Sequence, residues 1–382
     1  MILMLRSSFR HITGNIRVFA ITDLLGNFGR SMVFPYASLY ILALGGDAAQ
    51  IGLVAFLGQL AGLVLLPIAG HITDHADRIR LLVLAGFLSS LFLAMIVIAP
   101  SWQMVALASL LSGLVVFQFP AYASLVADAL APESRGQGIG MLNTISSSSS
   151  IFAPYIAGLV IERLSANLGM RILYGVMLGL ALITAFICMR FLKESSAAPR
   201  SPLHLNVLLN ALKLAYRCIP DLVRQMPRSL KALALVIVLS FIAQAMTGAF
   251  WVVYAVEQAG LSATQWGLIL LVEAVVRMGL FMPAGLLVDR WGRTTTLLAA
   301  LIISTLATPL FVVLHGFVAI MLVRVVLAVA FVLAIPACMA LMADLVPRAT
   351  RGQMMAAIGQ GGIMLGAVGS PGGPAVGYLI IP

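Results

Sequence analysis

The sequence predicts an all-α polytopic membrane protein made of two pseudo-symmetric helix bundles, and three observations carry that reading. Apolar residues make up 62% of the chain and charged residues 9%, with a mean hydropathy of +1.08, far outside the range of domains that fold in water. Apolar runs of about twenty residues, long enough to cross a bilayer, recur along the whole length. A polar stretch, Gly70-His71-Ile72-Thr73-Asp74-His75-Ala76-Asp77-Arg78-Ile79-Arg80, returns as Gly285-Leu286-Leu287-Val288-Asp289-Arg290-Trp291-Gly292-Arg293, with Asp289 215 positions after Asp74. A second pair keeps nearly the same offset, 216: Ala127-Asp128 before Arg135-Gly136-Gln137, and Ala343-Asp344 before Arg351-Gly352-Gln353. Two independent motifs repeating at one spacing mean two copies of one unit, and a hydrophobic unit of that length has the size of half a transporter.

Composition also excludes several classes. A net charge of +10 would suggest nucleic acid in a soluble protein, but here the basic residues fall in short loops between apolar runs, where they set topology. No nucleic-acid partner is expected. Cys188, Cys218 and Cys338 are too few and scattered for a disulfide framework or a metal cluster. No nucleotide-binding loop, metal-ligand cluster or catalytic triad pattern stands out, so neither enzymatic activity, a metal nor a cofactor is expected.

Windows of about twenty apolar residues give six spans in the first half, near 17–43, 49–70, 80–99, 103–126, 138–161 and 171–192. The second half gives five, near 232–256, 264–287, 295–314, 317–342 and 354–380. The expected organisation is a six-helix bundle over 1–192, a central cytoplasmic loop over 193–230 and a five-helix bundle over 231–382. Within the loop Val207, Leu208, Ala211, Leu212 and Ala215 lie at helical spacing against Asn210, Lys213 and Arg217, a pattern that suits a helix lying on lipid headgroups or a plain solvated linker. The repeat predicts a twelfth span from about position 386, so the expectation is of a version without its last helix. Met1 to Gly14 is basic and has no small-residue cleavage site, and reads as a cytoplasmic lead-in.

Lys and Arg settle the expected orientation. Eighteen of them share the side of the repeated motifs, and only Arg163 and Arg171 lie opposite, so the motifs and the N-terminus are expected in the cytoplasm. The implied location is a cytoplasmic, or inner, membrane crossed many times. Trp102 and Trp266 fall at predicted outer boundaries and read as interfacial anchors.

At these residues the chain resembles the major facilitator superfamily, over its whole length apart from the expected last helix. The family's cytoplasmic signature runs Gly-x-Leu-Ala-Asp-Arg-x-Gly-Arg-Lys. Gly70, Ile72, Asp74 and Arg78 match it, with His75, Asp77 and Ile79 as departures, and the second copy keeps Gly285, Asp289, Arg290, Gly292 and Arg293. Glycine at a helix end permits close packing, and a carboxylate beside it can face the positive end of a neighbouring helix. The resemblance implies a cytoplasmic gate in which Asp74 and Asp289 latch, with Arg78 and with Arg135 and Arg351 as partners. The plain alternative is that these arginines only hold topology.

Span five reads Gly140, Ser149, Ala153, Pro154, Ala157, Gly158. Its spacing is similar to the family's antiporter motif, Gly-x8-Gly-x3-Gly-Pro-x2-Gly-Gly, with small residues in place of several glycines. Small residues let helices approach and proline bends the helix so that it can line a gate; generic close packing is the other reading. If the motif holds, it implies export by exchange, nearest to the family's drug:proton antiporters.

Ionisable groups inside spans are expensive unless paired or wet. Five qualify: Asp23, Arg30, Glu273, Arg277 and Arg324. Asp23, Asn27 and Arg30 share one face of span one, and Glu273 and Arg277 stand at i and i+4 in span eight. Asp23 and Glu273 are the proton-coupling candidates, and static ion pairs Asp23–Arg30 and Glu273–Arg277 are the alternative. Where the family carries an arginine in span four this chain has Ser109, while Arg324 in span ten keeps the pattern. Candidate cavity residues are Asn27, Arg30, Gln118, Tyr122, Gln244, Trp251, Tyr254, Arg277 and Arg324.

The leading expectation is a monomeric secondary transporter working by alternating access, exporting a drug-like or amphipathic small molecule against protons or another coupling ion. Three arginines against two acids point instead to exchange or uptake of an organic anion at Arg30 and Arg277. A non-transporting receptor or inactive fragment is the third possibility.

Overall fold

The computed structural model describes residues 14–130, 135–193, 224 and 226–345. Those residues are helical apart from short connections and contain no strand. Span eleven, nearly all of the central loop and residues 1–13 lie outside them. Seven of the described helices are long and apolar enough to cross a membrane, those of spans three to six and eight to ten. Residues facing away from the helix contacts, such as Leu239, Met282 and Leu306, are apolar and exposed, the surface that lipid covers.

Spans two, three, six, eight, nine and ten are continuous, over Ala48–His75, Arg78–Val97, Ala166–Phe191, Ala263–Trp291, Arg293–Val313 and Phe317–Leu345. The others are interrupted. Span one is Asn15–Val33, a tight turn at Phe34–Tyr36, then Ala37–Ala43, and span four passes through a tight stretch at Gly113–Phe117 between Trp102–Ser112 and Gln118–Ala129. Span five breaks between Arg135–Ser150 and Ala153–Leu164, just before Pro154. Span seven, Arg228–Gly248, turns at Ala249–Phe250 and ends in a π-helical segment, Tyr254–Gln258. Pro35 and Pro154 each lack the N–H that would continue the ladder, which accounts for two of the breaks.

The repeat is visible in caps that the sequence reading had not singled out. Asp47 and Gln50 form a reciprocal capping box at the start of span two, with Gln50 N to Asp47 Oδ1 at 2.9 Å and Asp47 N to Gln50 Oε1 at 2.7 Å. Ser262 and Gln265, 215 positions on, do the same at span eight, at 3.2 and 2.9 Å. Each box satisfies donors that a helix start leaves open.

The repeated polar stretch falls between the windows of spans two and three, and here the structure differs. Gly70 to His75 continue span two, and only Ala76 and Asp77 leave the helix. A helix of 28 residues is about 42 Å long against about 30 Å of hydrocarbon, so its polar last turns project beyond the core and need not be loop. In the second copy the chain turns at Gly292, whose φ of 87° is left-handed and suits glycine. In the first copy Asp77 occupies the corresponding place with ordinary φ and N-caps span three instead, accepting from Arg80 N at 3.0 Å.

The chain divides into two compact units, one of residues 1–34, 41–153 and 170–217, the other of 35–40, 154–169 and 218–382. Two of the boundaries fall at the breaks before Pro35 and Pro154. In the first unit a core of Phe19, Leu125, Leu142 and Cys188 joins spans one, four, five and six. In the second, Leu230, Ile237, Val288, Leu297 and Met342 join spans seven to ten.

Candidate functional site

In the first unit Asp23, Asn27 and Arg30 lie half-buried along one face of span one. The Tyr122 hydroxyl of span four donates to Asp23 Oδ2, and the Tyr122 ring meets Phe19 edge-on at 5.2 Å. Arg30 turns to Asn27, donating from Nη2 to Oδ1 at 3.0 Å. The Asp23–Arg30 ion pair, the alternative to a proton-coupling role for Asp23, is not formed; two neutral-partner bonds stand in its place, because i−3 lies closer to Arg30 than i−7 does. Gln118 is half-buried on span four.

In the second unit the Glu273–Arg277 ion pair, the alternative to a proton-coupling role for Glu273, forms, and Arg324 joins it from 51 residues away. Arg277 Nη2 donates to Glu273 Oε1. Arg324 takes Oε2 with two donors, Nε at 3.0 Å and Nη2 at 2.5 Å. Glu273, 3% exposed, therefore has both oxygens held by guanidinium groups. Arg324 lies 5.0 Å from the Trp251 ring and 5.5 Å from the Trp266 ring, and Arg277 4.4 Å from the Phe331 ring, distances at which cation–π attraction operates. Trp251 and Trp266 both meet Phe311 edge-on. Trp266 was expected as an interfacial anchor; it is 2% exposed and packed inside the helices, since Arg324 and Phe311 cover it. Tyr254 bonds Val312 O at 2.7 Å, and Gln244 is exposed.

Both copies of the repeated motif carry an ion pair at the same place in the repeat. Arg78 Nη1 meets Asp128 Oδ2 at 2.7 Å, and Arg293 Nη1 pairs with Asp344. The sequence held the signal, since Asp128 and Asp344 recur with the motifs, but it did not give the partnership. Asp289, Arg290 and Arg135 are exposed and Gly285 half-buried. The side chains of Gly70 and Asp74, and all of Arg351, lie outside the described residues.

Around the antiporter-like run, Ser149 Oγ lies 3.0 Å from Leu24 O in the first unit, while Gly140 is exposed. Ala153, Pro154 and Gly158 are buried, the last two in the second unit. There a Cβ on Gly158 would lie 2.3 Å from Ala263 O and one on Gly267 2.6 Å from Pro154 O, so spans five and eight touch backbone to backbone. The Tyr36 hydroxyl sits between them, 2.8 Å from Pro154 O and 3.1 Å from Ala263 O. Ser38 donates to Ala249 O at 2.6 Å. Tyr36 and Ser38 were not singled out in the sequence, where each reads as one more residue of an apolar run.

Among the described residues no group of His, Cys, Asp or Glu could hold a metal ion. What the two charge clusters can do is bind ions or protons.

The comparisons agree with this geometry. A family model described as Major Facilitator Superfamily matches residues 19–222 and 233–381. An uncharacterized MFS-type transporter of Methanocaldococcus jannaschii is 21% identical over 294 residues, 75% of this chain and 69% of its own. A homolog of the multi-drug resistance efflux pump PmrA in Lactococcus lactis is 30% identical over 163 residues, 41% of this chain and 40% of that protein. Among solved structures, a bacterial homolog of the human lysosomal transporter Spinster superposes with a TM-score of 0.71 at 14% identity, covering 94% of this chain and 80% of that one. That likeness shows the fold.

Proposed function

Since the chain belongs to the Major Facilitator Superfamily, and is thus a membrane transporter rather than an enzyme, we propose that it exports amphipathic small molecules by alternating access, driven by protons carried on Asp23. The observation that carries this reading is the contrast between its two deep carboxylates. Both oxygens of Glu273 are taken by guanidinium donors, which can donate a hydrogen bond but not accept one. Asp23 meets a phenol, and a phenolic hydroxyl donates to a carboxylate and accepts from a carboxylic acid equally well. Only the second arrangement suits a group that must gain and lose a proton in each cycle.

The likeness to a PmrA homolog, a multi-drug efflux pump, supports export, although the alignment spans less than half of that protein. The spacing from Gly140 to Gly158 supports exchange. In this reading the protein acts as a monomer in the cytoplasmic membrane, with the basic helix ends inside, two halves over 1–192 and 231–382 rocking about the substrate, and 193–230 joining them. Arg78–Asp128 and Arg293–Asp344 brace the cytoplasmic ends of each half.

Everted membrane vesicles acidified inside test the proposal. An amphipathic dye that is a substrate should dissipate the acid interior as it enters, and Asp23→Asn should lower that coupled flux more than tenfold while dye counterflow persists. Full coupling in Asp23→Asn would remove Asp23 from the mechanism. Failure of every dye, cationic and anionic, to move protons in the wild type would remove the exporter reading.

A further inference from the structure

The duplication supplies a comparison inside the molecule. Counted back by 215 positions, Glu273, Arg277 and Arg324 of spans eight and ten correspond to Gly58, Gly62 and Ser109 of spans two and four. In the first half those small residues let the two helices touch. A Cβ on Gly113 would lie 2.8 Å from Ala61 Cβ and 2.9 Å from Gly62 N, and one on Gly58 would lie 3.5 Å from Ser109 Cβ. The fold closes this crossing without any charge, through small-residue packing. At the corresponding crossing of the second half the chain has put one carboxylate and two guanidinium groups, which are costly in hydrocarbon. Helix packing does not require them.

The cluster is also unbalanced. Glu273 neutralises one of its two arginines, and both its oxygens are taken. Arg324 is nearly enclosed, its side chain 12% exposed, with Glu273 Oε2 accepting from two of its donors and two Trp rings about it. Arg277 differs: its side chain is 40% exposed, its guanidinium rests over Phe331, and its buried Nε has no acceptor among the described residues. A guanidinium that shares one carboxylate with a second arginine and keeps part of its surface open, at the midpoint of a membrane span, can take a planar anion.

We propose that Arg277 is an anion-binding subsite, taking the carboxylate or sulfonate of an aromatic organic acid, with Glu273 as the internal stand-in that the bound anion displaces from it. This rests on the transporter reading above and names its substrate class.

Calorimetry on the purified protein in detergent, which needs no transport, tests it with 2-naphthoate, its cationic counterpart 2-naphthylmethylammonium and neutral 2-naphthamide. The naphthoate should bind at least tenfold more tightly than either of the others, the effect of one charge-assisted pair. Arg277→Gln should abolish that preference, and Arg277→Lys should keep part of it, since lysine keeps the charge without the fork. Glu273→Gln should tighten naphthoate binding severalfold, because the competing carboxylate is gone. Helicity and monodispersity identify a variant that has failed to fold; in that event the three-probe comparison on the wild type decides. Equal binding of naphthoate and the ammonium, or an unchanged preference in folded Arg277→Gln, overturns the subsite. Binding of naphthoate with no transport of any probe would overturn the transporter reading and leave the subsite standing.

Discussion

Glu273 and Asp23 are both acids inside the membrane, yet their removal should have opposite consequences for stability. Glu273→Gln leaves Arg324, 12% exposed, and Arg277, 40% exposed, without their shared counter-charge. Breaking a buried pair from one side costs about 3–5 kcal/mol, and the access of Arg277 to water puts the expected loss near the lower end, about 3 kcal/mol. Asp23→Asn removes no arginine's ion-pair partner, because Arg30 bonds Asn27, and an amide still bonds the Tyr122 hydroxyl. Its cost should stay within about 1 kcal/mol. The thermal midpoint of each variant in detergent checks the contrast; a Glu273→Gln protein as stable as the wild type would mean that water already screens the cluster. The sequence had offered both acids as proton-coupling candidates. What separated them was Arg324, since no spacing rule predicts an ion pair across 51 residues, whereas the i, i+4 pair within span eight could be read directly.

At the scale of elements, hydropathy marked the spans, but it could not tell a polar helix end from a loop, because both stand in water; hence Gly70 to His75. Nor could it distinguish Trp266, buried against Arg324, from an aromatic at the lipid boundary. The run of small residues around Pro154 was legible as a place of close approach, yet its partners in spans one and eight were not, since Tyr36 and Gly267 belong to no periodic pattern. The geometry orders the consequences of changing them. Gly158→Ala would set a methyl 2.3 Å from Ala263 O, and a backbone carbonyl within a helix cannot swing aside, so spans five and eight must separate at about 1–3 kcal/mol. Tyr36→Phe removes one shared hydrogen bond, about 1 kcal/mol. Thermal midpoints should therefore fall further for Gly158→Ala and Gly267→Ala than for Tyr36→Phe. The reverse order would mean that the hydroxyl, rather than the backbone contact, joins these helices.

For the whole molecule, the duplication was plain at the helix ends and hidden in the middle. Ends are built from turns, caps and charges with narrow chemical requirements, so Asp74 and Asp289, Asp128 and Asp344 recur in register, as do the capping boxes that begin at Asp47 and Ser262. Mid-membrane positions need only be small or apolar to pack, so the halves were free to diverge there, and Glu273, Arg277 and Arg324 stand opposite Gly58, Gly62 and Ser109. The ion pairs at the repeated motifs allow a test of how independent the copies are. Each pair lies inside one compact unit: Arg78–Asp128 in the first, Arg293–Asp344 in the second. Asp128→Asn should cost more than Asp344→Asn, because Arg78 is 21% exposed against 40% for Arg293 and its buried Nε has no acceptor among the described residues, although partly exposed pairs contribute only about 0.2–1 kcal/mol. Because the two pairs share no partner, their effects on stability should add within about 0.5 kcal/mol in the double variant. Transport should behave differently, since either half failing to reclose stops the cycle: the double variant should be no slower than the slower single one. Strong coupling in stability, beyond about 1 kcal/mol, would instead make the two bridges parts of a single latch spanning both copies.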